Sequence, residues 1–117
     1  MDLRDLVWAL LRRDALSARQ WVADAAQGGF DWTSVTEPTG LDAVGLAVAA
    51  GTAELMADRL GQAPPGWAAA VPASPEHLFL VQAAEFLPRL RRLCEEEGPE
   101  PLRRRGLLAP PGFLTVA

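Results

Sequence analysis

LDAVGLAVAAGTAELMADRL, residues 41–60, is the stretch on which the fold turns. Leu41, Val44, Val48, Leu55, Met56 and Leu60 fall near one face of a 3.6-residue period. Gly45, Ala49, Ala50 and Ala53 are small enough to let neighbouring helices approach closely. Gly61 supplies the C-terminal stop. A helix this apolar around its circumference belongs at the centre of a bundle, with the rest of the chain packed around it.

Towards the N-terminus, Leu3, Leu6, Val7, Leu10 and Leu11 make one helical stripe. Asp2 and Asp5 at its start and Arg12 and Arg13 at its end suit the helix dipole. Asp14 and Ala15 mark a break. Ser17 and Gln20 then form a candidate capping box for a second helix, which carries Trp21, Val22 and Ala25 and ends at Gly28-Gly29. So short a connection predicts an antiparallel hairpin. Phe30 to Gly40 reads as a loop whose Phe30 and Trp32 fold back onto that hairpin.

Towards the C-terminus, GQAPPGWAAAVPASP (61–75) is a proline-rich connector that needs an anchor, and Trp67 is the obvious one. Helical patterning resumes over 76–86, breaks at Pro88 and continues over 88–97 until Gly98-Pro99. Pro101 to Arg105 offers one more turn, and residues 106–117 form an irregular apolar tail with Pro110-Pro111. No alternating strand pattern is visible. The expectation is a single all-α domain spanning 1–117, a small bundle of four to five helices.

Composition excludes several classes. Half of the 117 residues are hydrophobic, too many for a disordered chain. No run reaches the ~20 apolar residues of a membrane span. The acids and arginines of MDLRDLVWALLRRD do not suit a secretory signal, and one cysteine cannot build a disulfide framework, so a cytoplasmic protein is expected. All eleven basic residues are arginine. Residues 1–87 carry five Arg against eleven acids, whereas residues 88–105 carry six Arg against four Glu. The body is acidic and the C-terminal segment basic, an asymmetry that suggests a local interaction surface. An acidic body repels phosphate, which argues against strong nucleic-acid binding.

Signatures of catalysis are missing from the pattern. One histidine, His77, and one thiol, Cys94, cannot complete a zinc site, and no Gly-rich phosphate loop or G-x-S-x-G elbow occurs. Glu95–Glu97 read as a solvated face, and Glu54 with Asp58 as an i, i+4 pair lacking further ligands. No cofactor and no metal site are expected. Arginine forks suit carboxylates and phosphates. The expected partner-binding face therefore comprises Arg89, Arg92, Arg103, Arg104 and Arg105 with the apolar Leu107, Leu108, Phe113, Leu114 and Val116 of the tail. The competing expectation is that these arginines pair internally with Glu95–Glu97 and Glu100. Two further alternatives stay open: a DNA-contacting regulator using the first two helices as a helix-turn-helix pair, and a small-ligand or enzymatic site using His77 and Cys94.

The order of W-V-A-D-A (21–25), F-D-W-x-x-V (30–35), L-A-V-A-A-G-x-x-E-L (46–55), G-Q-A-P-P-x-W (61–67) and P-E-P-L-R-R-R-G-L-x-A-P-P-x-F-L-x-x-A (99–117) resembles a group of small proteins of high-GC bacteria. It is similar too to the C-terminal region of antitoxin-like helix-turn-helix regulators. The resemblance implies an accessory or antitoxin-like member of a two-protein system, partnered by a toxin-like nucleotidyltransferase. The chain departs from those regulators in lacking an N-terminal helix-turn-helix unit, so DNA binding is not implied.

Overall fold

The computed structural model describes residues 1–115. Its axis is α3 (Ala43–Arg59), twelve of whose seventeen residues are buried, on every side of the helix. Asp42 starts it by accepting a hydrogen bond from the Gly45 amide at 2.8 Å. The hairpin of α1 (Leu3–Leu11) and α2 (Ala15–Gln27) packs on one side of α3 through Leu3, Leu6, Val7 and Leu10. The cap of α2 is Asp14, not Ser17: the Asp14 carboxylate accepts from the Ser17 amide (3.1 Å) and hydroxyl (2.6 Å). Gln20 bonds Asp24 instead of closing a capping box. The Ser17 bonds hold the Asp14 carboxyl below its ordinary value. The stability they add is therefore present above the usual carboxylate range and is lost as pH falls through the lowered value.

α1, α2 and α3 share one ending. The amides of Asp14, Phe30 and Gln62 reach back to the carbonyls of Ala9, Ala25 and Ala57 at 2.8–2.9 Å, which requires a left-handed residue just before each donor. Gly29 and Gly61 fill that position in α2 and α3, with φ near +68° and +67°. In α1 it is Arg13, at φ +58°. An arginine there carries strain that glycine would not.

The loop after α2 returns as expected. Trp21, Phe30 and Trp32 make a three-ring cluster with centroids 4.8–5.8 Å apart, and Trp32 is buried against α3 and the hairpin. Trp67 anchors the proline-rich connector, donating from Nε1 to the Val35 carbonyl at 2.8 Å; a 3₁₀ turn at Ala68–Ala70 then packs on α3.

The chain departs from the sequence reading at 76–86, where no α-helix forms. β1 (Leu78–Phe79) pairs in parallel with β2 (Leu107–Leu108), in register Leu78 to Leu107 and Phe79 to Leu108. The Leu78 and Leu80 amides donate to the Gly106 and Leu108 carbonyls at 3.0 and 2.9 Å. A 3₁₀ turn follows at Gln82–Glu85. The partner that converts this segment to strand lies some thirty residues downstream, where local periodicity carries no information. α4 (Pro88–Glu97) begins with Pro88 in its first turn and ends at Gly98, as the sequence indicates, and α5 (Glu100–Arg103) adds one turn. Among the described residues helices dominate, with only this two-stranded pair beside them. Gly51 allows α5 to lie directly on α3, since a Cβ there would sit 2.9 Å from Leu102 Cδ2 and 3.2 Å from the Pro101 carbonyl. No helix among the described residues is long and apolar enough to cross a membrane.

Candidate functional site

The expected docking face does not survive intact. Arg105 is 5% exposed, and its guanidinium makes an ion pair with Glu54, itself 8% exposed in the middle of α3. Arg105 also donates to the Ala68 carbonyl at 2.8 Å and the Pro101 carbonyl at 3.2 Å. One guanidinium thus ties α3, the connector and α5 together. Arg104, half exposed, reaches the same Glu54 carboxylate at 2.8 Å. Arg103 donates to the Glu96 backbone carbonyl. The arginines are engaged internally, but the main acid is Glu54, which the i, i+4 reading had placed with Asp58, and not the Glu95–Glu100 group. Of those acids only Glu95 makes an ion pair among the described residues, with Arg91 at 3.7 Å.

The tail is likewise turned inward. Leu107 and Leu114 are buried, and Leu108 and Phe113 are partly so. Arg59 clamps the tail by donating to the carbonyls of Phe113 and, at 3.1 Å, Pro111. Arg105, Leu107 and Leu114 therefore cannot form an outward surface, because burying them is what closes the core. Val116 lies outside the described residues. Of the expected set, Arg89 and Arg92 remain exposed on α4 with no hydrogen bond or ion pair among the described residues.

His77 and Cys94 do not make a site. Cys94 is fully buried, and burial pushes its thiol pKa up, away from the reactive thiolate. His77 is exposed, with its ring 2.8 Å from where a Cβ on Gly106 would stand. Gly106 is thus held to glycine by both that contact and its φ of +75°. Among the described residues no group of three or more His, Cys, Asp or Glu is placed to hold a metal ion.

A different feature emerges where the α1–α2 corner meets the Gln82–Glu85 turn and the tail. A cleft of about 440 Å³ opens there, with walls that include Leu10, Ala18, Leu80, Ala83, Phe113 and Leu114. Arg13, Asp14 and Arg19 stand on its rim. Arg13 Nη1 donates to Glu85 Oε1 at 2.5 Å, bridging hairpin and turn. Among the described residues, both non-glycine positions with left-handed backbones, Arg13 and Leu114 (φ +60°), line this one cleft. Strained residues of this kind, at about 1–3 kcal/mol each, concentrate at binding sites. Large exposed apolar side chains follow lining residues in the chain. Leu16, next to the lining Ala15, is 80% exposed; Phe86 and Leu87, just beyond the lining Ala83, are 70% and 53% exposed.

Sequence reasoning missed this site because three distant segments build it. Its one local trace is the absence of a glycine after Leu11, where the other two long helices have one. No family model, no curated protein and no solved structure matches the chain.

Proposed function

We propose that the protein is a non-enzymatic interaction module that docks another protein over the cleft between the α1–α2 corner and the Gln82–Glu85 turn. The observation that carries this reading is an apolar hollow whose lining residues Ala15 and Ala83 have the exposed Leu16, Phe86 and Leu87 as close neighbours in the chain. Grease concentrated at the border of a concavity marks a binding surface, whereas single exposed apolar residues do not. Arg89 and Arg92 are exposed on α4, with no ion pair among the described residues. The antitoxin-like role, with a nucleotidyltransferase-like toxin as counterpart, is supported by the resemblance of residues 21–117.

A photo-reactive residue at position 86, introduced in the native host, should capture one stoichiometric partner. The same residue at position 69, exposed on the connector turn, should not. With that partner purified, Phe86→Asp should weaken binding by at least tenfold, as truncation of a central apolar anchor does. Equal capture at both positions, or unchanged affinity of Phe86→Asp, would remove the proposal.

A further inference from the structure

Leu114 also lines a second hollow, of about 420 Å³, where α2, the loop after it and the end of α3 meet the tail. Its walls include Val22, Ala25, Phe30, Trp32, Met56 and Leu60. Among the described residues that line it, Arg59 alone carries a charge. That guanidinium has no counter-ion among the described residues. Its hydrogen bonds run to two neutral groups, the backbone carbonyls of Phe113 and Pro111. They leave part of its N–H fork unused. Arg59 also borders a polar groove that holds Glu54, Asp58 and Glu100, yet it pairs with none of these acids, and Glu54 is taken by Arg104 and Arg105. Gln62 lines the hollow as well: its Oε1 accepts from the Trp32 amide at 3.2 Å, and its Nε2 donates to no group among the described residues. We infer that this hollow binds a small monocarboxylic acid with an apolar body, the hydrocarbon lying between Phe30, Trp32 and Met56 and the carboxylate on Arg59 and Gln62.

The lining favours this occupant over others. The volume lies within the ~300–1,000 Å³ range of sites that enclose a small ligand. Walls that are mostly aliphatic and aromatic, with one cation and one amide donor, ask for an apolar body with one acceptor head. A cationic head would meet Arg59 as a like charge. A doubly charged phosphate would bring a second negative charge with no second cation in the lining. A docked protein would need an apolar border to cover. Of the exposed lining residues only Leu60, 52% exposed, is large and apolar; Ala26, Gly29 and Thr115 are small. The net charge of −4 opposes anions at a distance, but at contact the bond between guanidinium fork and carboxylate prevails. Leu114 is the one described residue that this hollow shares with the docking cleft, so the two proposals stand apart.

The test titrates the full chain with octanoate, and with octanol, octylammonium and octyl phosphate, which keep the body and change only the head. Octanoate should bind most tightly, by about tenfold over octanol, as expected where a charge-assisted pair replaces a neutral hydrogen bond. Amide resonances of Ala25 and Ala26 and the indole resonance of Trp32 should shift on titration. Arg59→Gln should remove the preference for octanoate while leaving octanol binding unchanged, a split that mere loosening of the tail would not produce. Ala26→Phe keeps Arg59 and fills the hollow from an exposed helix position, so it should abolish octanoate binding without moving the unfolding midpoint. If Arg59→Gln releases the tail and unfolds the chain, Ala26→Phe decides alone. Equal affinities for octanoate and octanol, tighter binding of octylammonium or octyl phosphate, an Ala26→Phe variant that still binds octanoate, or self-association abolished by Ala26→Phe would each overturn the inference.

Discussion

Glu54→Ala is expected to cost the fold about 3–5 kcal/mol, because it strands the Arg105 guanidinium in the interior without its counter-charge. Domains of this size are stable by only about 5–15 kcal/mol, so the variant should unfold at a much lower urea concentration. The loss belongs to the unpaired charge more than to the pair. Replacing both partners together, Glu54→Leu with Arg105→Met, should therefore recover most of the stability. Arg104→Ala removes a half-exposed guanidinium from the same carboxylate and should cost no more than about 1 kcal/mol. A Glu54→Ala variant within 1 kcal/mol of the parent would show that Arg105 reaches water in solution. The same logic bears on truncation. Removing residues 103–117 deletes Arg105, β2 and the buried Leu107, Ala109 and Leu114, so loss of a partner from such a variant would report unfolding.

Trp32→Ala carries an effect of similar size from a different cause. The indole is 2% exposed and stacks against Trp21 and Phe30 beside the hairpin. Truncating a buried tryptophan removes its transfer free energy and leaves a cavity that the surrounding rings cannot refill, about 3–5 kcal/mol in comparable cores. Trp8, 43% exposed on α1, serves as the comparison. Its replacement by alanine should change stability by about 0.5 kcal/mol or less. Equal urea midpoints for the two variants would mean that the loop at 30–40 is not folded onto the hairpin.

Local signals in the sequence were reliable where the structure is locally determined. The small and apolar residues of 41–60 place α3 at the centre, and Asp42 trims its start because its carboxylate caps Gly45. Pro88 and Gly98 bound α4 for reasons of backbone geometry alone. Phe30, Trp32 and Trp67 act as anchors because an aromatic ring in a loop has few other places to go. Long-range pairing escaped notice. Leu78, Phe79 and Leu80 look helical by spacing and become strand only because the tail offers carbonyls at Gly106 and Leu108. Glu54 looked like half of a surface pair with Asp58, since nothing in helical spacing announces an arginine fifty residues away. The arginine run at 103–105 was legible as a concentration of charge, but its direction was not. One of its members closes the interior, and the guanidinium groups without a partner among the described residues are those of Arg12, Arg19, Arg89 and Arg92. The cleft itself has no sequence pattern, because its walls come from the α1–α2 corner, the Gln82–Glu85 turn and the tail.

Hydrogen exchange at the Leu78 and Leu80 amides separates an internal C-terminal strap from an outward binding arm. These two amides are held by the carbonyls of Gly106 and Leu108. They should exchange only through global opening, with the same protection as the central amides of α3. Exchange at the rate of open chain while α3 stays protected would mean that residues 103–115 detach from the folded protein, and the docking surface would then have to be sought on that end.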